Sequence, residues 1–408
     1  MIHISLSPNA ELEDIGASLI ALLLGRFLAK EGASTRRLTV ELSNYFGGAE
    51  VFLTNSGRSA FVTILRALGI GEGDEVIMQA FTCNAVANPI LWVGATPRYA
   101  DIDENYNIDP IHVERLITPK TRAIVAQNTF GMPAQLDMLR AIADKHNLFL
   151  IEDCAHALGS TYEGEKLGTI GDVAFLSFGR DKVISSVYGG AIVARGAHAA
   201  HIAKAYEKIG YPRALWTLQQ IVHPFLTSFA RTLFPYGAII LVLAQRLHIL
   251  SKAVSSCERV GEQPAFFPAR LPDALAGLAL LQLRKLERFN AHRRAIAAIY
   301  DEELGGRDAL ELPIAPQGSI FLRYPLQYEN PRALRAVARE YRFVLGDWYA
   351  NVLDPTGTDM RVMGYEAGSC PRAERASARI VNLPTHILLR PEKARELAQL
   401  VATFSSRV

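Results

Sequence analysis

Two short runs in this chain carry residue types that can do chemistry on a carbonyl group. Ile151-Glu152-Asp153-Cys154-Ala155-His156-Ala157 closes an apolar run that reads as a strand, and Ser177-Phe178-Gly179-Arg180-Asp181-Lys182 closes another. In an open α/β sheet, ligands sit beyond the carboxyl ends of the strands, so Asp153, His156 and Lys182 are expected to face one crevice. A lysine amine placed there can attack an aldehyde to form an imine and, once released, can move a proton between two carbons. A carboxylate opposite it can keep the nitrogen of a bound heterocycle protonated, which makes that ring an electron sink.

The motifs stand in an order that resembles the DegT/StrS-type sugar aminotransferase family, among the fold type I enzymes that use pyridoxal 5'-phosphate (PLP). The likeness runs from about Thr35 to the C-terminus. Its Glu-Asp-x-Ala-x-Ala motif occupies residues 152 to 157 and its Ser-Phe-x-x-x-Lys motif residues 177 to 182. Upstream, Asn55-Ser56-Gly57-Arg58-Ser59-Ala60 resembles the phosphate-binding turn, and Gly94-Ala95-Thr96-Pro97 with Asp101-Ile102-Asp103 resembles the next block. Downstream, Arg270-Leu271-Pro272-Asp273 with Gln282-Leu283 resembles the segment that re-enters the partner subunit's site.

The resemblance implies that Lys182 binds PLP and shuttles the proton, that Asp153 pairs with the ring nitrogen, and that His156 reaches the phenolic oxygen. Gly57, Arg58, Cys83 and Ser177 would complete the cofactor site, the phosphate resting on backbone donors where the Gly57 turn opens a helix. The implied reaction moves an amino group from an amino acid, glutamate by resemblance, to a keto-sugar carried on a nucleotide. The implied setting is a homodimer in polysaccharide or glycan biosynthesis. Dehydratases of the family carry histidine at the lysine position, so Lys182 argues for transamination. Two other readings stay open: a non-catalytic or regulatory relative at a membrane, and aminotransfer to a cyclitol or other non-sugar ketone.

Three positions depart from the family pattern. Cys83 stands where an aromatic ring usually stacks on the cofactor, so either Phe81 serves instead or the ring is held less tightly. Arg58 replaces a threonine, and a guanidinium there could take the phosphate or a second phosphate on the substrate. Pro268 replaces the partner-subunit asparagine.

The elements that must position these groups are legible as alternating strands and helices between about 50 and 195, the pattern of repeated βαβ units. Strands are expected at 51–54, 75–79, 122–127, 149–152, 173–177 and 191–194, with a helix at 136–146. The fold class expected is α/β: a three-layer αβα large domain with a mostly parallel sheet, plus a smaller C-terminal α+β domain. The large domain is placed at 1–260, with an extended apolar helical segment at about 205–258. An interdomain helix and the small domain take 261–408, with helices at 331–341 and 391–404.

Composition narrows the function classes. The chain has 408 residues, half of them apolar, and 43 basic against 41 acidic side chains, with no basic block for a nucleic acid. Its four cysteines are scattered, which fits a reducing, cytoplasmic setting without disulfides or a metal site. His198 and His201 lack a carboxylate or cysteine neighbour in sequence and read as surface histidines. The apolar run 15–29 follows Glu11, Glu13 and Asp14 rather than a basic region, and reads as a buried helix, not a leader. The run 232–244 is shorter than the roughly 20 residues a spanning helix needs. Packing or dimer contact explains the 205–258 segment most simply, with a peripheral membrane contact through 224–250 as the sharper alternative.

Overall fold

The computed structural model describes residues 2–3, 9–233, 236–247 and 249–406. Its large sheet has seven strands: β1 (Glu50–Thr54), β2 (Glu75–Gln79), β3 (Thr96–Ala100), β4 (Thr121–Gln127), β5 (Phe149–Asp153), β6 (Val173–Ser177) and β7 (Gly190–Ala194). The spatial order is β1-β7-β6-β5-β4-β2-β3, and β7 alone runs antiparallel to its neighbours. All six strands expected from sequence differ from these by no more than one residue at either end, and the helix Leu136–His146 has the bounds expected. β3 was not among the expected strands. It lies at the sheet edge, where the missing donor of Pro97 costs no ladder hydrogen bond.

The strand side chains divide by parity, as a pleated strand requires. Ile151, Val173 and Phe175 join one buried cluster, with Phe61, Ile64 and Leu65 of the helix Gly57–Ala67. Leu150, Ala174 and Leu176 join the opposite cluster, with Leu139 and Ile142. These are the two interfaces of an αβα sandwich, and each large apolar side chain buried there contributes about 1.5–3 kcal/mol.

The same parity separates two adjacent carboxylates. Glu152 faces the second cluster, where its oxygens accept backbone N–H bonds from Gly168 (2.7 Å), Ile170 (2.8 Å) and Gly171 (2.7 Å). It clamps the turn that feeds β6 and has no route to the crevice. Asp153 faces the other way, at the carboxyl end of β5, opposite Phe175 in the parallel register.

The helices that matter for the site are α1 (Leu12–Leu23), α2 (Gly57–Ala67), α3 (Ala214–Thr232), α4 (Gly237–Arg246), α5 (Asp273–Leu283), α6 (Leu286–Leu304) and α7 (Pro331–Glu340). The interdomain helix expected within 261–408 is two helices, α5 and α6. A three-stranded antiparallel sheet, β8 (Leu310–Glu311), β9 (Tyr324–Tyr328) and β10 (Ile380–Leu383), forms the centre of the C-terminal part.

One expectation is corrected. The helix within 15–29 is not buried: only Asp14, Ser18 and Ala21 of α1 are, while Leu12 is 85% and Leu23 75% exposed. Apolar residues surround this helix, so its pattern does not say which face meets protein. α1 lies against α3, with the Ser18 hydroxyl donating to the Ile221 carbonyl.

Candidate active site

α2 begins where β1 ends, and its first turn is built for close approach. The Ser56 hydroxyl caps the helix by accepting from Ser59 N–H at 3.0 Å. A side chain at Gly190 would sit 2.6 Å from the Ser56 carbonyl carbon, and one at Gly57 would sit 3.2 Å from the Ser177 Cβ. Glycine at both positions lets β6 and β7 press against the helix N-terminus. This leaves a cradle of backbone donors beside the Ser177 hydroxyl, the arrangement that suits a phosphate.

In front of it lies a cavity of about 690 Å³. All seven residues expected to hold a cofactor line it: Gly57, Arg58, Cys83, Asp153, His156, Ser177 and Lys182. Asp153 is 3% exposed and accepts from Ala155 N–H at 2.9 Å. Burial lifts its carboxyl to about 6, although the Ala155 N–H and the Lys182 charge both pull it back. Lys182 is brought down to about 8 by burial, with Asp153 opposing the shift. Near neutral pH the carboxylate is therefore charged, and an appreciable fraction of the amine is unprotonated and nucleophilic.

His156 is enclosed by rings. Trp348 stacks on it at 5.3 Å and Tyr349 at 6.1 Å, each within 12° of parallel. Its Nδ1 accepts from Phe130 N–H, which assigns the proton to Nε2, facing the Tyr349 hydroxyl at 3.3 Å. Burial first, then the charges of Lys182 and Arg323, hold it neutral.

The departures from the family pattern have structural outcomes. Phe81 does not stand in for an aromatic at position 83, because it is fully buried among Tyr106, Phe130 and Tyr349 and does not reach the cavity wall. Cys83 does reach it, as a thiol that burial keeps protonated, at about 11. Arg58 is already engaged: its guanidinium is paired with buried Glu258, donates to the Ala253 carbonyl and lies 4.6 Å from the Phe267 ring centre. Removing one partner of such a pair leaves a buried lone charge, a cost of about 3–5 kcal/mol. Arg270 lies outside its own chain's cavity, packed over Tyr206 at 4.5 Å.

Several wall residues were not singled out from sequence. Trp348, Tyr349 and Asp354 come from the C-terminal part, and His223, Thr227, Leu241 and Gln245 from α3 and α4. The apolar segment is thus the roof of the crevice. Its helical spacing explains how: His223 and Thr227 lie one turn apart facing the cavity, while Phe225 and Phe229 face solvent at 44% and 48% exposure. Arg180 and Tyr188 tie the roof down through the Ser251 and Lys252 carbonyls. Among the described residues, no helix is long and apolar enough to cross a membrane, and no cluster of His, Cys, Asp and Glu is grouped to hold a metal ion.

A lysine and a buried carboxylate near the strand ends of an open αβα sheet thus share one cavity with a glycine-lined helix start. The chain belongs to the DegT/DnrJ/EryC1/StrS aminotransferase family, whose model matches residues 10–402. It is 29% identical over 374 residues to the UDP-N-acetyl-3-dehydro-alpha-D-glucosamine 3-aminotransferase of Acidithiobacillus ferrooxidans, covering 91% of this chain and 88% of that one. Over 169 residues it is 40% identical to an L-glutamine:2-deoxy-scyllo-inosose aminotransferase of Streptoalloteichus tenebrarius, covering 41% and 40% of the two chains. The crystal structure of DesV from S. venezuelae superposes with a TM-score of 0.75 at 26% identity, covering 97% of this chain and 95% of the other. The chain is an aminotransferase.

Proposed function

We propose that this aminotransferase binds PLP on Lys182 and transfers an amino group from an amino acid, glutamate in the first instance, to a keto-sugar on a nucleotide. The observation that carries the reading is one cavity that joins the phosphate cradle at Gly57, the Asp153 carboxylate and the Lys182 amine. The residues fit the cofactor: the glycine-lined helix start suits its phosphate, and a carboxylate ionised at neutral pH suits a protonated ring nitrogen. When bound, PLP supplies an aldehyde and an electron-withdrawing ring.

The chain's own residues do the rest. The Lys182 amine, brought down to about 8 by burial, would hold the cofactor at its aldehyde and, once released, would move a proton across the cavity. Neutral His156, wedged against Trp348, orients whatever lies at the cavity centre. The α3–α4 roof excludes water from above.

The test is a purified-protein assay with glutamate, supplying keto-sugar nucleotides and cyclitol ketones in parallel and measuring 2-oxoglutarate. Production with a keto-sugar nucleotide is the expected result. Production only with cyclitol ketones would transfer the reading to the substrate class named for the Streptoalloteichus tenebrarius relative.

The same reading includes a homodimer, supported by Arg270 packing away from its own cavity. It also includes a contact between the roof and an anionic membrane surface, supported by the exposed Phe225, Phe229, Ile239, Val242 and Leu243. No Asp or Glu lies between Glu207 and Glu258, whereas Lys208, Arg213, Arg231, Arg246 and Lys252 do. The protein is expected to float with anionic liposomes at low salt and to be released at high salt. Failure to float at low salt removes the membrane contact.

A further inference from the structure

The inner face of the roof carries a histidine with no structural task. His223 is 2% exposed, lines the main cavity, and has no hydrogen-bond partner for its Nδ1 among the described residues. Burial, and then the charge of Arg180, hold its ring neutral, so it carries one N–H donor. Arg180, from the loop after β6, lines the same cavity. Its two terminal nitrogens donate to the Ser251 carbonyl and hydroxyl, while its Nε is buried without a partner. Among the described residues no carboxylate pairs with it. Arg58, which shares the Tyr188 ring with Arg180, is by contrast neutralised by Glu258.

The cavity is unevenly charged. The aspartates on its wall, Asp153, Asp181, Asp347 and Asp354, all come from outside the roof. The segment that leaves the roof adds Lys252 and Arg259 to the wall, and both are exposed. A buried polar group left unpaired costs about 1–3 kcal/mol, and that cost is recovered when a ligand supplies the missing acceptor.

We propose that Arg180 and His223 hold the diphosphate of the acceptor, gripping it between the loop after β6 and the α3 roof. The inference rests on the proposed transfer to a keto-sugar with such a carrier and adds to it the groups that grasp the carrier.

Two features select a diphosphate over the carboxylate of an amino donor. A carboxylate is best matched by two parallel bonds from one guanidinium, and on Arg180 both terminal nitrogens are already occupied by Ser251. What remains is a set of separate donors on Arg180, His223, Lys252 and Arg259, which suits oxygens spread over two phosphates. Position agrees with this. A diphosphate is separated from the reacting carbon by a sugar ring, so its site must share the cavity with Lys182 without crowding the amine. Asp153 and Arg323 are among the charges that act on Lys182, whereas the charge that acts on His223 is that of Arg180. Nucleotides and membrane isoprenoids both carry sugars on a diphosphate, and the test separates the two sources.

The test measures UDP binding to full-length, PLP-loaded protein by calorimetry, beside glutamate titrated against the visible cofactor band. Arg180→Gln is expected to weaken UDP binding about 10- to 100-fold, the loss of a charge-assisted hydrogen bond, and to raise the half-saturating glutamate concentration no more than about 3-fold. His223→Phe, which keeps the bulk of the ring and removes its N–H, is expected to weaken UDP binding about 10-fold, and His223→Gln, which restores a donor, to recover most of that loss. Normal UDP binding in His223→Phe with a loss in His223→Gln would show that the residue only packs the roof and would overturn the inference, as would unchanged UDP binding in Arg180→Gln. Binding of farnesyl diphosphate in phosphatidylcholine vesicles, with the same pattern among the variants and no binding of UDP, would support the site and move the acceptor's carrier from nucleotide to lipid. A wild-type protein that forms 2-oxoglutarate with a keto-sugar nucleotide yet binds neither diphosphate overturns the inference alone. One that forms none with any acceptor brings down the proposed function instead.

Discussion

Lys182→Ala lowers transamination by at least about 10⁴-fold, the upper end of what one positioned proton-transfer group contributes, and leaves thermal stability at neutral pH unchanged or raised. The two halves of this expectation share one cause. Burial depresses the Lys182 amine from its ordinary value to about 8. Between that value and the ordinary lysine range the unfolded chain binds more protons than the folded one, so stability rises with pH across the window and the charged amine is a burden below it. Deleting the amine removes both the nucleophile and the burden. A denaturation series at pH 7 and at pH 10 beside a rate assay checks this, and a variant that loses stability along with activity would show that Lys182 serves packing rather than chemistry.

Asp153→Asn is expected to lower the rate about 10²- to 10³-fold, in the range lost when one aligned electrostatic partner is removed. It should alter folding little, because asparagine keeps the oxygen that accepts from Ala155 N–H. The pH profile sharpens the point. Burial raises the Asp153 carboxyl to about 6, so wild-type activity should fall as pH drops through that value and the carboxylate is neutralised. In Asp153→Asn that acid limb should vanish from a lowered but flatter profile. An acid limb retained in the variant would assign it to another group.

The cavity was legible in sequence because it sits at strand ends. Asp153 and Lys182 each close an apolar run, and a parallel sheet brings such ends to one edge whatever the loops between them do. The seven cavity residues came together for that reason. What sequence did not disclose depends on contacts between distant segments. Glu258, which occupies the Arg58 guanidinium, lies 200 positions away. Arg323 and Trp348 stand in loops beside the C-terminal sheet, whose placement over the crevice no local pattern encodes.

The two apolar stretches illustrate a further limit. In α3 the period separates His223 and Thr227 from Phe225 and Phe229, so two faces could be told apart, though not which one covers the cavity. In α1 apolar residues occur all round, and the expectation of burial failed because composition alone does not define a buried face. Pro97 concealed β3, since a proline argues against a strand until its edge position is known.

Borohydride reduction of PLP-loaded protein, followed by peptide mass analysis, tests the central claim most directly. A pyridoxyl group is expected on the peptide containing Lys182, and its loss in Lys182→Ala. Label on a different lysine, or none at all after reduction, would contradict the account.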